Sequence, residues 1–189
     1  MSEVEILLPS AYRQSRWKNG QGTSYDIASA PEGAGWDGLI WRLSVADIER
    51  DAAFSEFPGI DRTFVAIAGG GLTLEPEGHA PIAVPGLHEP VSFPGDWRMN
   101  CRLRAGPARA FNVFSARASA RHSVRIVRET GSVPTRGLAF VHALGGEIRC
   151  QGASVPVGAT ARAGGDALDI ACGADGAAIL VDIRLENAA

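Results

Sequence analysis

The chain is all-β by sequence, and three observations predict it. Short runs rich in β-branched and aromatic residues recur along all 189 residues. They are separated by a dense scatter of 23 glycines and 11 prolines, which suits many short strands better than long helices. Parts of the first half also return, in the same order, in the second.

The expected strands run Thr23–Ala28, Leu39–Ala46, Thr63–Ala68, Gly71–Glu75, Ala110–Ser115, Ser123–Val127, Leu138–Leu144, Glu147–Cys150, Leu168–Cys172 and Ala177–Leu185. Gly69-Gly70-Gly71 and Gly145-Gly146 sit where hairpin turns are expected. Only 49–57 and 10–16 leave room for a helical turn or two.

Phe64-Val65-Ala66-Ile67-Ala68-Gly69-Gly70 is echoed by Phe140-Val141-His142-Ala143-Leu144-Gly145-Gly146. Phe93-Pro94-Gly95-Asp96 and Phe111-Asn112-Val113 return as Ala163-Gly164-Gly165-Asp166 and Val181-Asp182-Ile183, each seventy positions later. The echoes predict two similar jelly-roll halves, 1–120 carrying the distinctive motifs and 121–189, packed into one unit. A fold of about 80 residues is marginal alone, so the two halves gain by burying surface against each other.

A net charge of −3 gives no field for nucleic acid. Three scattered cysteines, no CxxC pair, no signal peptide and no apolar run long enough to span a bilayer predict a reduced cytoplasmic protein.

Lys18 is the only lysine; the other 17 strong bases are arginines. It lies in Trp17-Lys18-Asn19-Gly20-Gln21-Gly22-Thr23, where a compact ammonium beside an indole, a carboxamide and glycines suits a polar contact point. In Trp41-Arg42-Leu43-Ser44-Val45-Ala46, alternation puts Trp41, Leu43 and Val45 on one face and Arg42, Ser44 and Ala46 on the other. The second face either meets solvent or lines an interior, where Arg42 needs an anion. Asn112, between Phe111 and Val113, poses the same choice. Asp61 and Arg62 follow a Phe57-Pro58-Gly59 turn, and an ordinary cap and ion pair compete there with a site role.

His79, His88, His122 and His142 are isolated, with no HxH or HExxH spacing, so no metal and no cofactor is expected. No GxSxG elbow or GxxxxGK[ST] loop is present.

Trp17-Lys18-Asn19-Gly20, Gly22-Thr23, Trp41-Arg42-Leu43-Ser44-Val45-Ala46, Phe54-Ser55, Phe57-Pro58-Gly59-Ile60-Asp61-Arg62, Phe93-Pro94-Gly95-Asp96 and Phe111-Asn112-Val113 together resemble the HutD/Ves family. Gln21 departs from the glycine usual in that motif. The resemblance implies a bicupin, two cupin-like double-stranded β-helix barrels packed together, without the usual cupin metal. It also implies a link to bacterial histidine utilisation.

The expected function is binding of a small anionic metabolite, of urocanate or formimino- or formyl-glutamate type, with a regulatory or buffering role. The candidate binding residues are Trp17, Lys18, Asn19, Gly20 and Thr23 in the first motif, Trp41, Arg42 and Ser44 in the second, and Asp61, Arg62 and Asn112. Arg42 and Lys18 would hold anionic oxygens, Asn19 or Asn112 an amide-like end, and Trp17 or Trp41 would wall the pocket. The rival is a metal-free isomerase or C–N hydrolase with Lys18 as base or nucleophile. No membrane partner is expected, and a homodimer is possible.

Overall fold

The computed structural model describes residues 4–17, 22–84 and 86–186. Strand β1 (Glu5–Leu7) is followed by a 3-10 turn (Pro9–Ala11) and then by β2 (Arg13–Arg16), β3 (Gly22–Ala30), β4 (Trp41–Ile48), β5 (Ala52–Phe54) and β6 (Ile60–Ala68). Next come β7 (Leu72–Pro76), β8 (Ile82–Val84), β9 (Pro90–Pro94), β10 (Met99–Leu103) and β11 (Ala108–Ala116). The chain continues through β12 (Ala120–Val127), β13 (Gly131–Gly145), β14 (Ile148–Cys150), β15 (Ala153–Ser154), β16 (Thr160–Cys172) and β17 (Ala177–Leu185). Among the described residues there is no α-helix, and no helix is long and apolar enough to cross a membrane.

The chain divides into two compact units, Arg13–Ser119 and Met1–Tyr12 with Ala120–Ala189. The expected first half thus gives up its N-terminal residues. Backbone pairing decides this: Glu5, Ile6 and Leu7 add an antiparallel strand to β16, opposite Arg162, Ala161 and Thr160. The Tyr12 hydroxyl then donates to the Gly158 carbonyl at 2.9 Å and lies 2.9 Å from the Thr160 hydroxyl.

Within Arg13–Ser119, one sheet has the order β2-β3-β4-β11-β6-β9 and a second has β5-β10-β7-β8. The two layers share a core in which Phe64, Ala66, Phe93 and Ala110 of the larger sheet meet Phe54, Leu72, Leu74, Val84, Met99 and Cys101 of the smaller. Burying each large apolar side chain there contributes about 1.5–3 kcal/mol. Both sheets stay open at their edges, where the expected barrel closure would have continued the ladders.

Neither glycine cluster makes a hairpin. β6 pairs with β11 and β9, whereas β7 pairs with β10 and β8, so Gly69–Gly71 carries the chain from one sheet to the other. At that corner a Cβ on Gly69 would stand 2.8 Å from the Ala108 backbone, so only glycine fits. Likewise β14 pairs with β15 and β16 rather than with β13.

In the other unit the order is β12-β17-β13-β16-β14-β15, with β1 on β16. Its core is small and aliphatic, built from Ala139, Val141, Ala143, Ile148, Ala161, Ala163, Leu168, Ile170, Ala178 and Leu180. The echo of Phe64 by Phe140 is out of phase. Phe64 points into its unit's core, whereas Phe140 alternates with core residues Ala139 and Val141 and faces the opposite way.

Candidate functional site

Strand register builds the site. On β11, Phe114 stands opposite Arg42 of β4 on one side and Arg62 of β6 on the other. One step along the same face, Asn112 stands between Ser44 and Phe64, and Ser44 is in turn opposite Asp26 of β3. The next step brings Ala46, Ala110 and Ala66 into line. Cross-strand neighbours share a face, so two arginines, an amide, a serine and an aspartate converge above a floor of small residues. They line a cavity of about 860 Å³.

Both guanidiniums are buried, Arg42 at 7% and Arg62 at 5% exposure, and neither has an ion pair with a described carboxylate. Arg62 donates through Nε and Nη2 to the Asn112 Oδ1, at 3.2 and 2.7 Å, and Asn112 returns its own amide to the Ala110 carbonyl. Phenyl rings surround it, with Phe54 at 4.5 Å and Phe114 at 5.1 Å from the guanidinium carbon. Burial pushes the Arg62 pKa down to about 9. Arg42 donates through Nη2 to the Ala34 carbonyl, lies 4.3 Å under the Trp36 ring, and buries its Nε with no hydrogen-bond partner among the described residues. Its pKa is also lowered, first by burial and further by Arg13, against the opposing charge of Asp26. That aspartate is held by Arg13 at 2.9 Å.

Trp17 forms part of the wall. Its Nε1 donates to the Ser24 hydroxyl at 2.8 Å, and its ring meets Phe54 edge-on at 5.7 Å. Gly22 makes this possible, since a Cβ there would lie 2.6 Å from the Asp47 carbonyl and 3.0 Å from the indole.

Of the expected binding residues, Trp17, Arg42, Ser44, Arg62 and Asn112 line the cavity. Lys18, Asn19 and Gly20 lie outside the described residues, and so does the expected convergence of Lys18 with Arg42. Arg62 is the cation that stands across Phe114 from Arg42. Thr23, Trp41 and Asp61 are absent from the lining because each points to the face opposite its cavity-lining neighbour: Ser24, Arg42 and Arg62 respectively. Asp61 instead binds Arg117 at 2.8 Å, and Arg117 also holds Asp96 at 2.5 Å.

Sequence reasoning missed Trp36, Phe57 and Phe114. Trp36 packs on Phe57 at a 31° tilt with ring centroids 3.9 Å apart and meets Phe114 edge-on at 5.1 Å. Phe114 was legible, because it lies two residues beyond Asn112 and alternation gives it the same face. Trp36 sits in a strandless glycine-rich loop and had no such signal.

A family model described as HutD matches residues 9–186. The chain belongs to the HutD family. It is 35% identical over 116 residues to an uncharacterised 21.2 kDa protein in the hutC 3' region of Pseudomonas putida, an alignment covering 61% of this chain and 60% of the relative. Protein Ves of Citrobacter koseri is 30% identical over 115 residues, covering 60% of this chain and 59% of the relative. The matched stretch thus spans about three fifths of the length of these curated relatives. The structure of HutD from Pseudomonas fluorescens SBW25, solved in a formate condition, superposes with a TM-score of 0.88 at 25% identity, covering 98% of this chain and all of that one. A cupin 2 conserved barrel domain protein from Leptotrichia buccalis shares the fold, with a TM-score of 0.57 at 10% identity and coverage of 91% and 92% of the two chains.

Proposed function

We propose that the protein binds a small carboxylate-bearing metabolite without a metal, and that it buffers or reports an intermediate of histidine breakdown. Ligands of urocanate or formimino- or formyl-glutamate type fit that role. The observation carrying this reading is the pair of buried guanidiniums that flank Phe114 without an ion pair to any described carboxylate, Asp26 in the same cavity being held by Arg13. Buried cations are costly unless paired, and an incoming anion supplies the missing partner. Asn112 offers a nearby amide, and Trp17 with Phe54 shields the interior from water.

Each charge-assisted hydrogen bond contributes roughly 1.5–3 kcal/mol. Two or three, less the cost of association, give micromolar affinity at about −8 kcal/mol. Family membership supports the link to histidine utilisation. The Pseudomonas fluorescens relative solved in a formate condition makes formate a natural smallest probe.

The strand orders support the finer bicupin reading. In one unit β4-β11-β6-β9 repeats the succession β12-β17-β13-β16 of the other, with each strand in the corresponding place along the chain. The duplication on this reading kept topology while the polar interior stayed with one copy.

A thermal-shift panel of urocanate, N-formyl-L-glutamate, formiminoglutamate, histidine and formate tests the proposal. At a hundredfold excess over Kd, linkage adds about 2.7 kcal/mol, or roughly 5–11 °C for a chain of this size. No shift with any of them would overturn it.

A further inference from the structure

We infer that residues 31–40 form a built-in plug on the anion site, with the Ala34 carbonyl and the Trp36 ring holding Arg42 until an anionic ligand displaces them. This rests on the binding reading above and adds a conformational step to it. The segment leaves the sheet between β3 and β4, and its base is closed by the Ile40 amide donating to the Ala30 carbonyl at 2.8 Å. From that base it folds over the cavity.

Its two contacts with Arg42 imitate a ligand: a carbonyl oxygen on Nη2 and a π face 4.3 Å from the guanidinium carbon. The imitation is incomplete. The carbonyl is neutral, and Nε remains buried without an acceptor among the described residues. A carboxylate accepts from a guanidinium in bidentate fashion and about twice as strongly as a neutral oxygen, so it is the better partner for the same group.

The segment is also built to leave. Gly33 and Gly38 bracket Trp36 at φ +67° and +77°, and a Cβ on Gly38 would meet nothing within 4 Å. Glycine therefore serves the left-handed turns at the two ends of the segment rather than close packing. Trp36 itself is 42% exposed despite its size, resting on Phe57 and Phe114 without being enclosed. Displacing it uncovers part of a small apolar cluster of Leu39, Ile60 and Phe114, a cost that the anion's contacts with Arg42 must offset. A plug that moves as the site fills gives a partner protein a surface that differs between empty and occupied forms.

Wild type, Trp36→Phe and Trp36→Ala are compared with sodium formate and N-formyl-L-glutamate, neither of which absorbs where indole is excited. Binding is read from Tm, and the plug from tryptophan emission, acrylamide quenching and hydrogen exchange of residues 33–39. Saturating probe is expected to red-shift emission and raise quenching in the wild type, and Trp36→Phe is expected to lose that change. Exchange in 33–39 is expected to quicken. Trp36→Ala is expected to bind more tightly, by up to about tenfold if the plug is closed nine-tenths of the time.

A Tm shift with no Trp36-dependent emission change overturns the plug alone. So do slower exchange and weaker binding by Trp36→Ala, which would make the ring a wall of the occupied site. If neither probe shifts the wild-type Tm, the binding reading beneath the plug is what fails.

Discussion

Arg62 is a charge buried among four phenyl rings, and among the described residues its side-chain polar partner is a neutral amide. Replacing such a group by an apolar side chain of similar length removes a desolvation cost, partly offset by the Asn112 oxygen left unpaired, about 1–3 kcal/mol. Arg62→Met is therefore expected to leave the unliganded Tm unchanged or raised while abolishing the probe-induced shift. A loss of several degrees in the unliganded protein would instead make the guanidinium structural. The same residue sets a pH dependence. Its folded pKa of about 9 lies well below the ordinary arginine value, so the unfolded chain holds the proton more firmly. The cost of burial is full below pH 9 and is relieved as pH rises from 9 towards the ordinary arginine value, so Arg62 makes folding more favourable across that window. Anion binding runs the other way, because it needs the charge. Titrating Kd for N-formyl-L-glutamate from pH 7 to 10 is expected to show weakening above about pH 9, and a flat profile would refute it.

Two turns hold the wall of the cavity at the scale of elements. The Phe57 amide donates to the Gly95 carbonyl and the Gly95 amide to the Ile60 carbonyl, both at 2.7 Å, which clips the 57–60 turn to the end of β9. Asp96 adds a carboxylate oxygen on the Gly59 amide at 3.0 Å, and Arg117 bridges Asp96 to Asp61. The Gly59 amide first, and Arg117 second, lower the Asp96 pKa, so this contribution is present above the usual aspartate range and lost as pH falls through the lowered value. Being exposed, the ion pairs are worth little singly. Arg117→Ala is expected to cost about 1 kcal/mol in chemical denaturation and to weaken probe binding a fewfold through Phe57. Unchanged affinity would mean that the clip does not position the wall. These elements also show what was legible in the sequence. β4, β6 and β11 are legible as β-prone, largely apolar runs because both of their faces are buried, and Arg42 and Ser44 on the cavity face of β4 add alternation. β2, Arg13-Gln14-Ser15-Arg16, is exposed throughout and carries no alternation to read. β9 begins and ends with proline, which reads as a breaker yet is tolerated on an edge strand. β5 is three residues long, within a stretch that reads as a helical turn. Arg42, Ser44 and Asn112 were found from one strand's pattern at a time. The apposition of Arg42 and Arg62 across Phe114 needed register, which local sequence does not carry.

At the scale of the whole chain, polarity is divided unequally between the units. Arg13–Ser119 surrounds a cavity with buried cations, whereas the other unit packs a core dominated by alanine, valine, leucine and isoleucine, with its buried His142 hydrogen-bonded to Thr160. A close-packed aliphatic core has no polar group to offer a ligand and responds to lost volume with lost stability. Leu180 is 1% exposed in that core, so Leu180→Ala is expected to cost about 2–5 kcal/mol and to lower Tm accordingly. All residues lining the large cavity belong to Arg13–Ser119, so the probe Kd measured well below that Tm should stay within about twofold of wild type, since substitutions that share no partners act independently. If Leu180→Ala abolished binding while the protein remained folded, recognition would depend on the second unit, and the division of labour read from the two interiors would be wrong.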